Sequence, residues 1–335
     1  MISFELESDQ TLIQETVRAF AKDELATAAR TAEKAGEPSA ALRKSHAELG
    51  LAKLDLPESH GGQGASLCTT MVAEEELGWG DAPLAVALDG GYAAELLLSL
   101  AGKRSQGGEP TALAYCEPKG PAAGFATVAR RADGGWLVTG KKGWVLDGAR
   151  ASRYVVFAQL EGVEGWRGAA AFLVARAGQK EGAIRVGEAQ LIASGDALVD
   201  ATRRTLARVG LKNAARQVGL GRAAYELALE YTQDRKAFGR PVAHFQANAF
   251  TLADMATEVD SARWLAWRTA DRGVQLLGGA GFVQDFPAEK RMRDTKALAL
   301  VGAPVEWWRL DAAAHHLGHA IDGALPSAAI QPFVL

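Results

Sequence analysis

Cysteine is nearly missing from this chain of 335 residues, which carries only Cys68 and Cys116. Two thiols are too few for a disulfide framework at this length, and their spacing matches no zinc motif. A reducing compartment is expected. The sequence also lacks any apolar run approaching the roughly 18 residues of a membrane span. Its first residues, Met1 to Glu7, are acidic where a secretory signal would be basic. Both features predict a cytoplasmic protein with no membrane partner. A charge imbalance is absent too: 37 Lys and Arg stand against 40 Asp and Glu, for a formal charge of -3. That balance leaves no basic footprint for nucleic acid. Nucleophile elbows, Walker loops and zinc-protease helices do not occur, which removes the common hydrolase and nucleotidase classes.

What is present is a change of pattern along the chain. Leu12, Ile13, Val17, Phe20 and Leu25 recur at helical spacing, with Ser8 or Asp9 as the expected cap. Further helices are predicted over Ala40 to Leu49, Thr69 to Leu77 and Tyr92 to Leu100, broken by the turn-rich Pro57 to Gly64. From Pro110 onward short apolar runs replace them: Ala112 to Cys116, Trp136 to Thr139, Tyr154 to Phe157 and Ala171 to Val174. Their connections are too short for crossover helices, so an antiparallel barrel or sandwich is expected. The helical period returns near Thr202, with Val218, Leu220, Ala224, Leu227 and Tyr231 on one face, and a second run follows over Phe245 to Trp267. The predicted fold is α+β: a helical domain over residues 1–109, a β-barrel domain over 110–201 and a helical bundle over 202–335.

Two short motifs invite chemistry and are set aside. Gly219-Leu220-Gly221 imitates the start of a dinucleotide fingerprint but lies inside a helical pattern. His315 and His319 share a helical face as a metal pair would, yet no carboxylate motif accompanies them. No metal is expected.

A longer constellation is specific. Asp234 to Val242 (DRKAFGRPV), Phe245-Gln246, Gln275 to Phe282 (QLLGGAGF) and Arg291 to Lys296 (RMRDTK) occur in order, after Leu56-Pro57-Glu58 and Gly140 to Trp144. Together they resemble the acyl-CoA dehydrogenases over nearly the whole chain. The resemblance implies a helical domain, a β-barrel and a C-terminal four-helix bundle, here shortened, assembled as dimers or tetramers around FAD. It also implies that Arg235, Phe238, Gln246, Gln275, Gly278, Gly279 and Gly281 reach the adenosine diphosphate half of a neighbouring subunit's FAD. The chemistry of the residues agrees: guanidinium offers a rigid fork of donors to a diphosphate, and a glycine turn lets backbone N–H groups come close.

The pattern breaks where proton transfer belongs. The family removes a proton from the substrate α-carbon, and its usual glutamate follows the Arg-Asp-x-Lys motif. Counting forward from Lys296 places Gly302 there, and the alternative position on the first C-terminal helix falls at Val209 and Gly210. Glu306 is the nearest carboxylate in sequence, but four residues of helix displace it by several ångströms at about 1.5 Å per residue. The barrel motifs are altered as well. The flavin loop appears as Cys116-Glu117-Pro118-Lys119-Gly120 without its serine, and Trp-x-Thr appears as Trp144-Val145-Leu146.

Three readings follow. The first is the non-catalytic subunit of a heteromeric acyl-CoA dehydrogenase, with a paralogous partner supplying the glutamate; the resemblance suggests a bulky, steroid-side-chain type of thioester. The second is an active homomeric enzyme with a relocated base such as Glu306. The third is a catalytically inactive binding or regulatory protein of the same fold.

Overall fold

The computed structural model describes residues 6–104, 110–117, 125–176, 183–261, 290 and 293–294. Two compact units emerge. One combines the chain up to Asp55 with Ala65–Leu88 and the described residues from Gly210 onward; the other takes Leu56–Gly64 and Asp89–Val209. The fold is α+β, helical first, β in the middle and helical again. Among the described residues no single helix is long and apolar enough to cross a membrane.

The first unit begins with α1 (Ser8–Phe20), which passes through one π-type turn (Ala21–Leu25) into α2 (Ala26–Ala35). Its cap is Glu7, one residue ahead of the expected Ser8 and two ahead of Asp9, and Gln10 Oε1 accepts the Glu7 N–H at 3.1 Å. Gly36 ends α2 in the left-handed region at φ 75°, where its N–H reaches Ala32 O. Ser39 opens α3 (Ala40–Glu48) by accepting the Leu42 N–H. The long α4 (Leu67–Leu88) is two helices joined at Asp81, whose φ of -166° and ψ of 108° are extended. Asp81 Oδ1 accepts the Leu84 N–H at 2.9 Å and so caps the second segment, with Pro83 in its first turn. Val17, Phe20, Leu25, Leu77 and Leu84 fill the core between these helices.

α6 (Gly195–Asp234) runs 40 residues, starting one to two turns before the periodic signal at Thr202. Its portion from Gly210 crosses α4 at a pair of glycines. A Cβ on Gly219 would lie 1.9 Å from Glu75 O, and one on Gly78 would lie 2.2 Å from Arg216 O. The glycine that imitates a nucleotide motif is therefore a helix-crossing residue. Charges surround this crossing. Glu74 meets Lys212 and Arg216 at 2.8 and 2.6 Å, while Glu76 meets Arg18 and Arg222 at 2.8 and 2.6 Å. Burial pushes the Glu76 carboxyl up, but hydrogen bonds from Arg18 and Arg222 outweigh it and hold the group below its ordinary range.

In the second unit α5 (Tyr92–Leu100), matching its predicted span, packs Ala94, Leu97 and Leu98 against a seven-stranded sheet. The strands are β1 (Thr111–Ala114), β2 (Val128–Ala132), β3 (Gly135–Thr139), β4 (Arg153–Leu160), β5 (Ala169–Ala175), β6 (Ala183–Gly187) and β7 (Leu191–Ser194). Their order is β6-β3-β2-β4-β5-β7, with β1 also on β4. The sheet is mixed and does not close, which corrects the antiparallel barrel. β4 pairs β5 antiparallel on one edge; on the other, Arg153–Val156 runs parallel to β1 and Gln159 and Leu160 run parallel to β2. Short connections restrict only strands consecutive in sequence, as β2–β3 and β4–β5 are, and neither β1 nor β2 is consecutive with β4. Tyr115, Phe125, Phe157 and Trp166 stack their rings edge-on or tilted, with centroids 5.1 to 5.7 Å apart, to form its aromatic core.

Candidate cofactor-binding hairpin and flavin-side loop

The Asp234 to Val242 motif folds as a small hairpin at the end of α6. Arg235 N–H bonds Tyr231 O at 2.9 Å, closing the last helical turn, and its carbonyl accepts the Val242 N–H at 2.8 Å. β8 (Lys236–Ala237) pairs antiparallel with β9 (Arg240–Pro241) across the two-residue turn Phe238-Gly239. Both turn residues sit at positive φ, 51° and 78°, as a type I′ turn requires. Glycine adopts that region freely, but a phenylalanine there is under strain. The Phe238 side chain gains nothing from burial in this subunit, because it is 97% exposed.

What fixes the turn is a run of ring contacts. Phe238 meets Phe245 edge-on at 6.3 Å between centroids, and the Arg240 guanidinium lies 4.3 Å over the Phe245 ring. Gln246 then opens α7 (Gln246–Ser261) with its side chain exposed, and Asn248 Nδ2 donates to Val242 O at 2.8 Å to brace the turn. Arg235 is exposed and pairs with no carboxylate among the described residues. Arg235 and Phe238 therefore lie on the hairpin and Gln246 at the start of the helix that follows it, all three exposed. Gln275, Gly278, Gly279 and Gly281 lie outside the described residues, as do Gly302, Glu306, His315, His319, Trp264, Trp267, Trp307 and Trp308.

In the described part of the loop after β1, the polar side chain is already engaged. Glu117 is buried and accepts hydrogen bonds from Ala126 N–H at 2.6 Å, Thr127 N–H at 3.0 Å and Lys142 Nζ at 2.7 Å. Burial pushes its carboxyl up, yet these donors, Lys142 first, hold it below the ordinary glutamate range. Lys142 in turn is lowered by burial, against the pull of Glu117. A carboxylate so fully engaged is not a free proton acceptor. Burial raises the Cys116 thiol, against the pull of Lys142, which disfavours its thiolate form. Gly143 N–H donates to Cys116 O at 3.0 Å, tying the loop to the Lys142-to-Leu146 stretch, where Trp144 is half exposed. The sequence marks both stretches but gives no sign of the Glu117–Lys142 pair that joins them.

These two places test the fit to FAD in opposite senses. The hairpin, with an uncommitted guanidinium, an amide and an open aromatic face, fits a diphosphate and an adenine ring. Among the described residues, that loop and the Lys142-to-Leu146 stretch offer the side chains of an engaged glutamate, a raised thiol and the apolar Val145 and Leu146, which do not supply the hydrogen-bond donors that a flavin ring calls for.

Comparison with known proteins bears on the family and the fold. Residues 7–106 match the acyl-CoA dehydrogenase N-terminal domain and residues 199–273 the acyl-CoA dehydrogenase C-terminal domain. The mitochondrial short-chain specific acyl-CoA dehydrogenase of Bos taurus is 29% identical, across 94% of this chain and 92% of that protein. In fold, the chain is similar to the butyryl-CoA dehydrogenase of Megasphaera elsdenii, with a TM-score of 0.78 at 23% identity, covering 91% of this chain and 97% of that one. It is similar again to a glutaryl-CoA dehydrogenase of Mycobacterium smegmatis in complex with FADH2, with a TM-score of 0.81 at 19% identity over 94% of this chain and 96% of that one. Two matched domains in the family's order, together with this fold, make the chain a member of the acyl-CoA dehydrogenase family.

Proposed function

We propose that this chain is a subunit of an FAD-dependent acyl-CoA dehydrogenase, and that it lends its Arg235 hairpin to the diphosphate of an FAD whose flavin ring a paralogous subunit holds. In such a reaction the hydride leaving the β-carbon of the acyl thioester is accepted by the isoalloxazine, while a carboxylate takes the α-proton. The observation that carries the reading is the hairpin: Phe238 is 97% exposed at a strained positive φ, beside an Arg235 without a partner carboxylate among the described residues. Strain and exposed aromatic surface at one turn make sense when a ligand or neighbour covers them.

Two further features support the division of labour. Gly302 stands where the family's base belongs, so the proton acceptor comes from the partner. On the flavin side, Glu117 is fully occupied by Lys142 and two backbone N–H groups. Arg235 and Gln246 then orient the diphosphate end, and this chain moves no proton. A bulky acyl-CoA and a cytoplasmic setting complete the proposal.

Purification of the chain alone and co-expressed with a base-bearing paralogue tests it through flavin absorbance and mass. FAD retained only by the mixed complex is the expected result. Stoichiometric FAD and turnover in the isolated chain would overturn the heteromeric assignment.

A further inference from the structure

Arg240 is the charged group of the hairpin that the proposed function leaves without a task. Like Arg235 and Lys236 it is exposed, and none of the three forms an ion pair among the described residues. The motif from Asp234 to Val242 holds these three cations against the single acid Asp234, in a chain whose formal charge is -3. Asp234 is exposed and unpaired among the described residues as well. The hairpin is thus a local positive patch that nothing within the described chain offsets.

The strand register puts Arg240 on the same face as Arg235. Ala237 pairs directly with Arg240, and the bond from Val242 N–H to Arg235 O carries the ladder one step further. Side chains alternate along a strand and directly opposed residues share a face. Arg235, Ala237, Arg240 and Val242 therefore lie on one face, and Lys236 and Pro241 on the other. Arg235 and Arg240 are diagonal neighbours across the ladder, a spacing of roughly 7–8 Å that long side chains can close. Beside them Ala237 contributes only a methyl group. Two like charges so placed repel, and an anion held between them turns that repulsion into two attractions.

Arg240 is also held ready for such a ligand. Its guanidinium lies 4.3 Å over the Phe245 ring, which Phe238 in turn meets edge-on at 6.3 Å. Stacking occupies the flat face of a guanidinium and leaves its in-plane N–H fork free for an acceptor. It also restricts a side chain rich in rotamers before any ligand arrives, so less freedom is lost on binding. We infer that Arg240 is a second anion-binding residue of this site, and that the hairpin grips the two phosphates of a diphosphate with one guanidinium each. The inference rests on the proposed function, which brings the FAD diphosphate to this face, and adds that both phosphates are required: a single phosphate would leave one guanidinium unanswered.

Flavin fluorescence on dilution of the co-expressed complex, with ³¹P resonances of its bound FAD, tests the grip. Arg240→Ala should keep the thermal midpoint and weaken FAD retention about tenfold, the scale of one charge-assisted contact. In the FAD that stays bound it should shift one phosphate resonance, and Arg235→Ala should shift the other. Wild-type retention in Arg240→Ala, or the same resonance shifted by both variants, overturns the two-phosphate grip; a loss of FAD in Arg235→Ala would then leave the proposed function standing. A lowered midpoint with both resonances moved alike would make Arg240 a support of the turn, and overturns the grip too. A complex that holds no FAD, or that keeps it equally in both variants, removes the grip and the proposed function together.

Discussion

Lys212 Nζ lies 2.8 Å from Glu74 Oε1, and both side chains are 2% exposed. The pair is completed by Arg216, whose Nε is 2.6 Å from the other Glu74 oxygen. One carboxylate thus answers two buried cations where α6 crosses α4. Removing a member of such a group costs far more than its net attraction, because the remaining charge stays buried without compensation. Glu74→Ala should lower unfolding stability by about 4 kcal/mol. Lys212→Met leaves Glu74 with Arg216 and should cost clearly less. Urea unfolding midpoints of the two variants check this, and equal losses would show that Arg216 does not compensate Glu74.

Gly219 tests the same crossing by shape. Its absent Cβ would stand 1.9 Å from the Glu75 carbonyl oxygen and 2.7 Å from the Trp79 nitrogen, both backbone atoms that cannot rotate away. Gly219→Ala must therefore push the helices apart, with an expected loss of about 3 kcal/mol. In an exposed helix interior the same change would stabilise by up to about 1 kcal/mol. The sign of the change in thermal midpoint therefore separates a crossing glycine from a merely tolerated one.

Legibility in the sequence followed the range of the interaction. α5 was readable because Tyr92 to Leu100 is a continuous apolar helical stretch, whereas the Lys236–Pro241 hairpin was marked only as a motif and not as a strand pair. The parallel placement of β1 and β2 along β4 was not readable, since it depends on which distant strands meet. Glu74 and Arg216 are 142 positions apart, and nothing in Glu74-Glu75-Glu76 tells which cation each will find. Gly219 was visible only as a decoy, because a glycine inside a helix shows its purpose only once the neighbouring helix is in place.

Glu117 links stability to pH. Its carboxyl is held low in the folded chain, so its contribution is present above the ordinary glutamate value of about 4.3 and is lost as pH falls through the folded value. Glu117→Gln leaves Lys142 buried without its partner, a loss expected at roughly 3 kcal/mol near pH 7. The gap to wild type should narrow as pH falls from the ordinary glutamate value through the lower folded one, where wild-type Glu117 takes up its proton. Thermal melts of both proteins from pH 3 to pH 8 check this. A gap independent of pH would mean that shape, and not charge, holds the loop to Lys142.

Arg235 separates binding from folding. Its side chain is exposed and makes no ion pair among the described residues, so Arg235→Ala should leave the thermal midpoint of the chain unchanged within about 0.5 kcal/mol. If the guanidinium grips a diphosphate, the same variant should weaken FAD retention in the assembled complex by roughly 10- to 100-fold, the scale of one charge-assisted, two-pronged contact. Arg235→Lys keeps the charge but loses the fork, and should fall between the two. Flavin fluorescence during dilution of the complex measures this order directly. Equal retention by all three proteins would remove Arg235 from the cofactor site and leave the strained Phe238 turn to be explained by contact with a protein neighbour alone.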